Sequence, residues 1–201
     1  MSIYDEHFGT INRGGSSREA KRWFIKESHE MDSGIETYYS AFGINVKDME
    51  GKKVLDIGGR IGGKFSAEIK GGNVDLVSYN PNIYGLKKEK DEKAVEGIAQ
   101  ELPFKENSFD YVLSYATVPA YLPPTEDDYK TAFEGMYRVA KERGGQIILF
   151  PVYSHVLESD IYKEIKREIE NKGGKIEEVF WGTGKVGGHD VKAYRVILTK
   201  T

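Results

Sequence analysis

The sequence VLDIGGRIGGKF occupies positions 54–65, and the interpretation of the whole chain starts from it. A short apolar run ends in Asp56, glycines follow at once, and Ile61, Phe65 and Ile69 then recur at helical spacing. This pattern predicts a strand, a tight turn and a helix. Glycine suits such a turn because the main chain can approach a ligand closely at a helix N-terminus. The stretch therefore predicts a nucleotide-binding cradle.

The composition limits the classes of protein that the chain can belong to. Its 201 residues predict one domain over 1–201, and 39% hydrophobic with 30% charged residues is typical of a soluble globular protein. A net charge of -3 gives no electrostatic footprint for nucleic acid, so no such partner is expected. Absence of cysteine, of a long apolar run and of a signal-peptide core predicts a cytoplasmic protein without a membrane span.

The part before the first strand is predicted to contain two helices. Ser16 with Glu19, and Ser33 with Glu36, form capping boxes ahead of apolar residues at helical spacing. Residues 1–45 are interpreted as a loop and helices that can fold over the site as a lid, and 53–201 as the sheet core. Tyr4 in this segment would reach the site if the lid closes.

Alternating strand and helix patterns follow from position 53 onward. Strands are predicted at Lys53–Ile57, Val74–Ser78, Lys93–Ile98, Phe109–Ser114, Gln146–Phe150, Lys175–Trp181 and Lys192–Thr199. Helices are predicted at Ile61–Ile69, from Pro81, from Thr125 and after Ser159. The glycine-rich segment Gly182–Asp190, which contains His189, is predicted to be a hairpin loop. The order predicts an α/β fold with a Rossmann-like doubly wound sheet, helices on both faces, and ligands beyond the carboxyl ends of the strands.

Three segments resemble the class I S-adenosylmethionine-dependent methyltransferases, in particular their small-molecule, type 11-like branch. They are VLDIGGRIGG at 54–63, AQELPFKENSFDYVLS at 99–114 and YRVAKERGGQIIL at 137–149. The spacing of LPF ahead of SFD is the most specific part of the match. The resemblance implies seven strands in the order 3-2-1-4-5-7-6, with the last strand antiparallel. It also implies S-adenosyl-L-methionine as cofactor and S-adenosyl-L-homocysteine as product.

The chain departs from the family pattern at three cofactor positions. Arg60 replaces the middle glycine of the first motif, although Asp56, Gly58 and Gly62 fit it. The family usually ends its second strand in an acidic residue that holds both ribose hydroxyls, whereas this chain has Ser78-Tyr79-Asn80. Where the family often has an aspartate for the adenine amino group, this chain has Ile98.

The resemblance carries the cofactor-binding assignment onto the matching residues, namely Asp56, Gly58, Gly59, Arg60, Gly62, Tyr79, Asn80, Ala99, Gln100 and Tyr115. Ala99 and Gln100 would frame the adenine through backbone groups. Asp56 is interpreted either as a ligand contact or as a structural acceptor for the turn amides. Asn80 fits a helix N-cap, with a ribose contact as a second role for it or for Tyr79.

Methyl transfer from a sulfonium is an in-line displacement, which needs a base only if the acceptor must lose a proton. His155, just after the fifth predicted strand, is the first candidate for that base, and Tyr115 lies where cofactor and substrate would meet. His7 is a further candidate if the N-terminal lid closes. The four histidines lack a carboxylate cluster at ligand spacing, so no metal site is predicted.

The sequence thus predicts a methyltransferase for a small-molecule acceptor. Two alternatives remain open at this point. The first is a protein that keeps the fold but no longer methylates, and serves as a ligand-binding or partner subunit. The second uses the same cradle for another nucleotide-like ligand. The sequence leaves the oligomeric state and the identity of the acceptor open.

Overall fold

The computed structural model of the chain describes residues 35–59, 64–69, 72–80, 93–118, 126–186 and 189–201. Its helices are α1 (Ile35–Phe42), α2 (Val46–Met49), α3 (Lys64–Ile69), α4 (Glu126–Val139), α5 (Ser154–Leu157) and α6 (Asp160–Asn171). Its strands are β1 (Lys53–Ile57), β2 (Asp75–Asn80), β3 (Lys93–Glu96), β4 (Tyr111–Tyr115), β5 (Gln146–Tyr153), β6 (Lys175–Val186) and β7 (His189–Thr199). The first predicted N-terminal helix and the helix from Pro81 lie outside these residues.

All seven strands form one sheet in the order β3-β2-β1-β4-β5-β7-β6. Strands β1 to β5 pair in parallel, and β7 runs antiparallel to both β5 and β6. This confirms the predicted order and the antiparallel last strand. Strand β1 lies in the middle, with Leu55 opposite Val77 of β2 and Val112 of β4. The carboxyl ends of β1, β2 and β4 consequently meet at one edge of the sheet, where the predicted site lies.

Hydrophobic side chains pack on both faces of the sheet because successive residues of a strand point to opposite sides. On one face, Leu55 and Ile57 of β1 join a cluster that includes buried residues of α4 and α6. On the other face, Val54 packs with Phe65 and Ile69 of α3 and with residues of α1. The doubly wound prediction of helices on both faces is therefore confirmed.

Some predicted boundaries are wrong. Strand β4 begins at Tyr111, two residues later than predicted, and Phe109 forms only an isolated bridge to Ala140. Strand β5 continues to Tyr153 through a cis peptide bond between Phe150 and Pro151. A short helix, α5, then follows, which the sequence did not predict.

The predicted loop of the closing hairpin is also wrong, because its two strands extend far into the glycine-rich segment. Gly182 pairs with Ala193 and Val186 pairs with His189, so His189 belongs to β7. Glycines are tolerated here because β6 is the edge strand of the sheet, where a missing side chain removes little packing. A backbone pairing that runs this far is not signalled by side-chain alternation.

Predicted helix ends were more reliable where capping chemistry is local. Ser159 accepts a hydrogen bond from the N–H of Tyr162 at 3.3 Å and begins α6 as predicted. Helix α1 ends at Gly43, which has φ +68° and donates its N–H to the carbonyl of Tyr39 at 2.8 Å. Both signals act over a few residues, so they can be read from the sequence.

Asp110, the aspartate of the SFD segment, lies at the amino end of the strands, away from the predicted site. Its Oδ2 accepts the N–H of Lys53 and the Nζ–H of Lys141, both at 2.9 Å. Burial acts to raise the pKa of Asp110, but the hydrogen bonds from Lys141 and Lys53 outweigh it and hold the pKa below its usual value. The carboxylate therefore ties β1 to the segment that follows α4.

Asp110→Asn is expected to destabilise the protein by about 1 kcal/mol at pH 7, because it removes the charge paired with Lys141. A lowered folded-state pKa gives stability that is present above the unfolded value and lost as pH falls through the folded one. Urea unfolding at pH 7 and pH 3 should therefore show a smaller wild-type advantage at pH 3 than at pH 7. An advantage of equal size at both pH values would contradict this role for the charge.

Within the described ranges, no helix is long and apolar enough to cross a membrane.

Candidate functional site

The site is built around the turn at the carboxyl end of β1. Gly58 has φ +82° and donates its N–H to the carbonyl of Tyr79 in β2 at 2.7 Å. A Cβ on Gly58 would lie 1.9 Å from Oγ1 of Thr117, and one on Gly59 would lie 2.3 Å from Oδ2 of Asp56. Only glycine fits both positions, because neighbouring side chains occupy the space of a Cβ. The turn thus brings main-chain atoms to the edge of the sheet.

Asp56 lies beneath this turn with only 2% of its surface exposed. Its Oδ2 accepts the Tyr38 hydroxyl at 3.1 Å. Burial raises the pKa of Asp56 to about 7, while the hydrogen bond from Tyr38 acts in the opposite direction. A buried carboxyl with a pKa near 7 is only partly ionised at neutral pH, so the negative charge that it places under the glycine turn grows as pH rises through 7.

Tyr38 joins three elements of the site through its ring. The ring stacks on Phe65 of α3 at a centroid distance of 3.8 Å and on Tyr115 of β4 at 5.3 Å. Tyr115 in turn stacks on Phe150 of β5 at 6.0 Å. Helix α1, from the N-terminal part of the chain, is thereby packed against the ends of β1 and β4. The capping box of Ser33 and Glu36 predicts the helix that contains Tyr38, but no local pattern indicates the bond from Tyr38 to Asp56.

Tyr79 and Asn80 are the last two residues of β2, and their side chains point to different partners. Tyr79 is 1% exposed and donates its hydroxyl to the carbonyls of Ile98 at 3.1 Å and Glu101 at 2.8 Å. Asn80 donates its amide N–H groups to the carbonyls of Gly58 at 3.2 Å and Gly59 at 3.4 Å. Both polar groups therefore contact the loops around the site.

The loop after β3 contains Ala99 and Gln100, the two residues predicted to frame an adenine. Ala99 is buried and Gln100 is partly exposed. Ile98 precedes them and is 43% exposed, which is unusual for a large apolar side chain. An exposed Ile at this edge supplies an apolar surface where the family pattern has a carboxylate.

Tyr115 and His155 lie at the ends of the neighbouring strands β4 and β5. His155 is the second residue of α5, and its ring stacks on Tyr153 at 6.0 Å. Burial lowers the pKa of His155, although Glu158 partly opposes this shift. Burial also raises the pKa of Tyr153, with a smaller contribution from nearby Tyr115. His155 is thus mainly a neutral imidazole at pH 7, with its ring stacked on that of Tyr153.

The structure brings together Asp56, Gly58, Gly59, Tyr79 and Asn80 by direct hydrogen bonds or close contacts. Four other predicted residues, Arg60, Gly62, Tyr4 and His7, lie outside the described residues. Thr117, whose side chain closes the space above Gly58, was not predicted, because no local pattern links it to a turn so far back in the chain. In the part of the chain that the structure covers, no group of three His, Asp or Glu residues could hold a metal ion.

Comparisons with known proteins agree with this geometry. Residues 55–149 match the family model described as "Methyltransferase domain". Residues 55–149 therefore form a methyltransferase domain. The match begins inside β1, three residues before Gly58, and ends inside β5. The methyltransferase domain therefore contains the turn, the loop at Ala99 and Gln100, and Tyr115.

Individual relatives support the same assignment for the methyltransferase domain. Sterol 24-C-methyltransferase of Schizosaccharomyces pombe is 30% identical over 181 residues, covering 84% of this chain and 45% of the relative. Demethylmenaquinone methyltransferase of Oceanobacillus iheyensis is 36% identical, covering 38% of this chain and 33% of the relative. The chain spans less than half the length of these curated relatives.

A solved structure shares the fold of the methyltransferase domain. It is the crystal structure of a TehB-like SAM-dependent methyltransferase from Corynebacterium glutamicum, with a TM-score of 0.52 and 16% identity. The match covers 92% of this chain and 97% of that one. It therefore extends beyond the residues of the family model to most of the sheet.

Proposed function

We propose that this protein is an S-adenosylmethionine-dependent methyltransferase that acts on a small molecule. The observation that carries the proposal is the glycine turn at Gly58 and Gly59, which lies over the buried carboxyl of Asp56 inside a methyltransferase domain. The turn exposes main-chain atoms where a nucleoside cofactor of this family would lie. The carboxyl supplies a negative charge beside a cofactor that carries a sulfonium cation.

The residues present fit such a cofactor. The side chain of Thr117 occupies the space of a Cβ at Gly58, and that of Asp56 occupies it at Gly59. These two positions therefore stay glycine, and no side chain from them can block the approach of the cofactor to the main chain. Ala99 and Ile98 offer an apolar surface for the adenine, and the main chain around Gln100 offers polar groups. When bound, S-adenosylmethionine would supply an electrophilic methyl group on a sulfonium, with S-adenosylhomocysteine as the product.

In this proposal the chain contributes mainly orientation and exclusion of water, since a sulfonium is already activated. Gly58 and Gly59 allow close approach of the main chain, and Asp56 attracts the cationic end of the cofactor. Tyr115, stacked between Tyr38 and Phe150, forms the wall beside which the acceptor would lie. Arg60 and Gly62 remain proposed cofactor contacts on the basis of the family motif.

His155 is the proposed base when the acceptor must lose a proton. Its lowered pKa leaves the imidazole neutral and able to accept a proton at pH 7. The proton would move from the acceptor to a ring nitrogen of His155. Acceptors that react as free amines through a lone pair would not need this step.

A small-molecule acceptor and a cytoplasmic location complete the proposal. The two curated relatives are named for a sterol and for demethylmenaquinone, which are both small molecules. The absence of cysteine fits a reducing compartment such as the cytoplasm.

A specific observation favours one alternative, a binding protein that no longer methylates. Two acidic contacts of the family pattern are replaced by Asn80 and Ile98, and Arg60 adds bulk to the glycine motif. The Asn80 amide bonds to the carbonyls of the turn, and these bonds direct its amide nitrogen at the turn. Without the two acidic contacts of the family pattern, the protein would bind a nucleoside cofactor more weakly.

Calorimetric titration of the wild type and an Arg60→Gly variant with S-adenosylmethionine and S-adenosylhomocysteine tests the proposal. We expect wild-type dissociation constants in the micromolar range, which corresponds to a binding free energy of about -8 kcal/mol. Binding by the glycine variant alone would favour the binding-protein alternative, in which Arg60 blocks the cradle. Absence of binding by both proteins would overturn the assignment of the cofactor.

A further inference from the structure

The end of β2 makes contacts in two directions that the family pattern does not account for. We propose that Tyr79 and Asn80, here called the Tyr79–Asn80 pair, are positioning residues that hold the two cofactor-binding loops at a fixed separation. Tyr79 holds the loop of Ala99 and Gln100, and Asn80 holds the glycine turn. This inference rests on the proposed function, because it assigns the pair a role in binding the nucleoside of that cofactor.

The contact to the adenine side comes from Tyr79. Its hydroxyl lies between the carbonyls of Ile98 and Glu101, at 3.1 and 2.8 Å, and so reaches the residues on either side of Ala99 and Gln100. The two carbonyls lie at the two ends of this short loop. The buried Tyr79 hydroxyl therefore holds both ends of the loop of Ala99 and Gln100 against β2.

Gly97 leaves the space that this contact needs. A Cβ at position 97 would lie 1.9 Å from the Tyr79 hydroxyl oxygen and 2.5 Å from the ring carbon that bears it. The N–H of Gly97 donates to the carbonyl of Asn80 at 3.2 Å, which ties the same loop to β2 through the main chain. Side chain and main chain of the pair thus both bond to the segment that starts at Gly97.

The contact to the glycine turn comes from Asn80. The oxygens of Gly58 and Gly59, which it contacts, are both carbonyl acceptors, so only the amide nitrogen can face them. The carbonyl of Tyr79 also accepts the N–H of Gly58 at 2.7 Å. The turn is therefore bonded to the pair by both donors and acceptors, and its position relative to β2 is fixed.

These contacts separate two interpretations of position 80 sharply. If residue 80 contacts the ribose, the family's aspartate should bind at least as well as asparagine, because a carboxylate accepts two hydroxyls. If residue 80 holds the turn, a carboxylate fails, because it has no N–H and would face two carbonyl oxygens. Asn80→Asp therefore has opposite expected outcomes under the two interpretations.

The first experiment is calorimetric titration of the wild type, Tyr79→Phe and Asn80→Asp with adenosine and with S-adenosylhomocysteine. We expect Tyr79→Phe to bind both probes about three- to tenfold more weakly, in line with the loss of one buried hydrogen-bonding group. Asn80→Asp should bind S-adenosylhomocysteine at least about tenfold more weakly, because a charged group faces the carbonyls. Tighter binding by Asn80→Asp, or unchanged binding by both variants, would overturn the inference.

Tyr162→Phe is the matched control. Tyr162 is also a buried tyrosine whose hydroxyl donates to a carboxylate, that of Glu178 at 3.0 Å, but its partner lies in β6, at the opposite end of the sheet from β2 and β3. Its variant should lower the thermal midpoint without changing the affinity for either probe. This separates a positioning role from a general loss of stability.

Hydrogen exchange of the ligand-free proteins gives a readout that does not depend on cofactor binding. Tyr79→Phe should speed exchange in peptides that cover 97–102, and Asn80→Asp in peptides that cover 58–59, while Tyr162→Phe leaves both unchanged. Unchanged exchange in these peptides would overturn the inference. Failure of the wild type to bind S-adenosylhomocysteine would instead overturn the proposed function, and the exchange data would still decide whether the pair holds the two loops.

Discussion

Asp56→Asn is expected to make the ligand-free protein more stable at pH 8 while it weakens binding of S-adenosylmethionine at least about tenfold. The two effects have one cause, the burial of a carboxyl group that is 2% exposed beneath the glycine turn. In the wild type the Tyr38 hydroxyl donates to the Asp56 carboxylate at 3.1 Å. Asparagine keeps an oxygen that can accept this hydrogen bond. It carries no charge, so folding no longer requires a carboxylate to leave water.

The pH dependence of the stability effect has a defined sign. The pKa of Asp56 is raised from 3.8 to about 7, so between these values the folded protein holds a proton that the unfolded chain has released. Stability must then fall as pH rises through this window, by up to about 1.4 kcal/mol per pH unit. The advantage of the Asn variant should therefore be absent near pH 4, grow to pH 7 and stay constant above it.

Urea unfolding at several pH values measures the first effect, and calorimetry at pH 7.5 measures the second. The affinity loss should be larger for S-adenosylmethionine than for S-adenosylhomocysteine, since only the former carries the sulfonium charge. Asp110→Asn, at the opposite edge of the sheet, is the control for a lost carboxylate and should leave both affinities unchanged. An Asn variant with unchanged affinity would assign Asp56 a purely structural role.

The sequence allowed the fold to be predicted because its main signals are local. Apolar runs, glycines and caps such as Ser159 identify strands, turns and helix starts within a few residues. The order of the strands came from the resemblance to a family, and the sheet has that order. The wrong boundaries, at Phe109 and at His189, fall where pairing is decided by a distant strand or by an edge position.

The site was less predictable because its contacts join residues far apart in the sequence. Tyr38 and Asp56 are 18 positions apart, and Tyr79 and Glu101 are 22 apart. No periodicity indicates which hydroxyl will reach which acceptor across two elements. Strand alternation does place Tyr79 on the same face as buried Val77, but the loop that covers it depends on the tertiary fold.

Gly58→Ala is expected to destabilise the protein by roughly 2–4 kcal/mol and to abolish measurable binding of S-adenosylhomocysteine. Two costs add at this position. The backbone has φ +82°, which costs a residue with a Cβ about 1–2 kcal/mol. The new Cβ would also lie 1.9 Å from Oγ1 and 2.8 Å from Cβ of Thr117, so the loop after β4 or the turn must move.

Gly51→Ala separates these two costs because Gly51 has a similar φ of +68° with no atom within 4 Å of the added Cβ. It should lose only about 1 kcal/mol in urea unfolding and keep its affinity for S-adenosylhomocysteine. Adding Thr117→Gly to Gly58→Ala should restore part of the stability, measured against Thr117→Gly alone, since it removes the close contacts but not the backbone strain. If Gly51→Ala and Gly58→Ala were equally destabilised, strain alone would explain the loss and Thr117 would not limit the cradle.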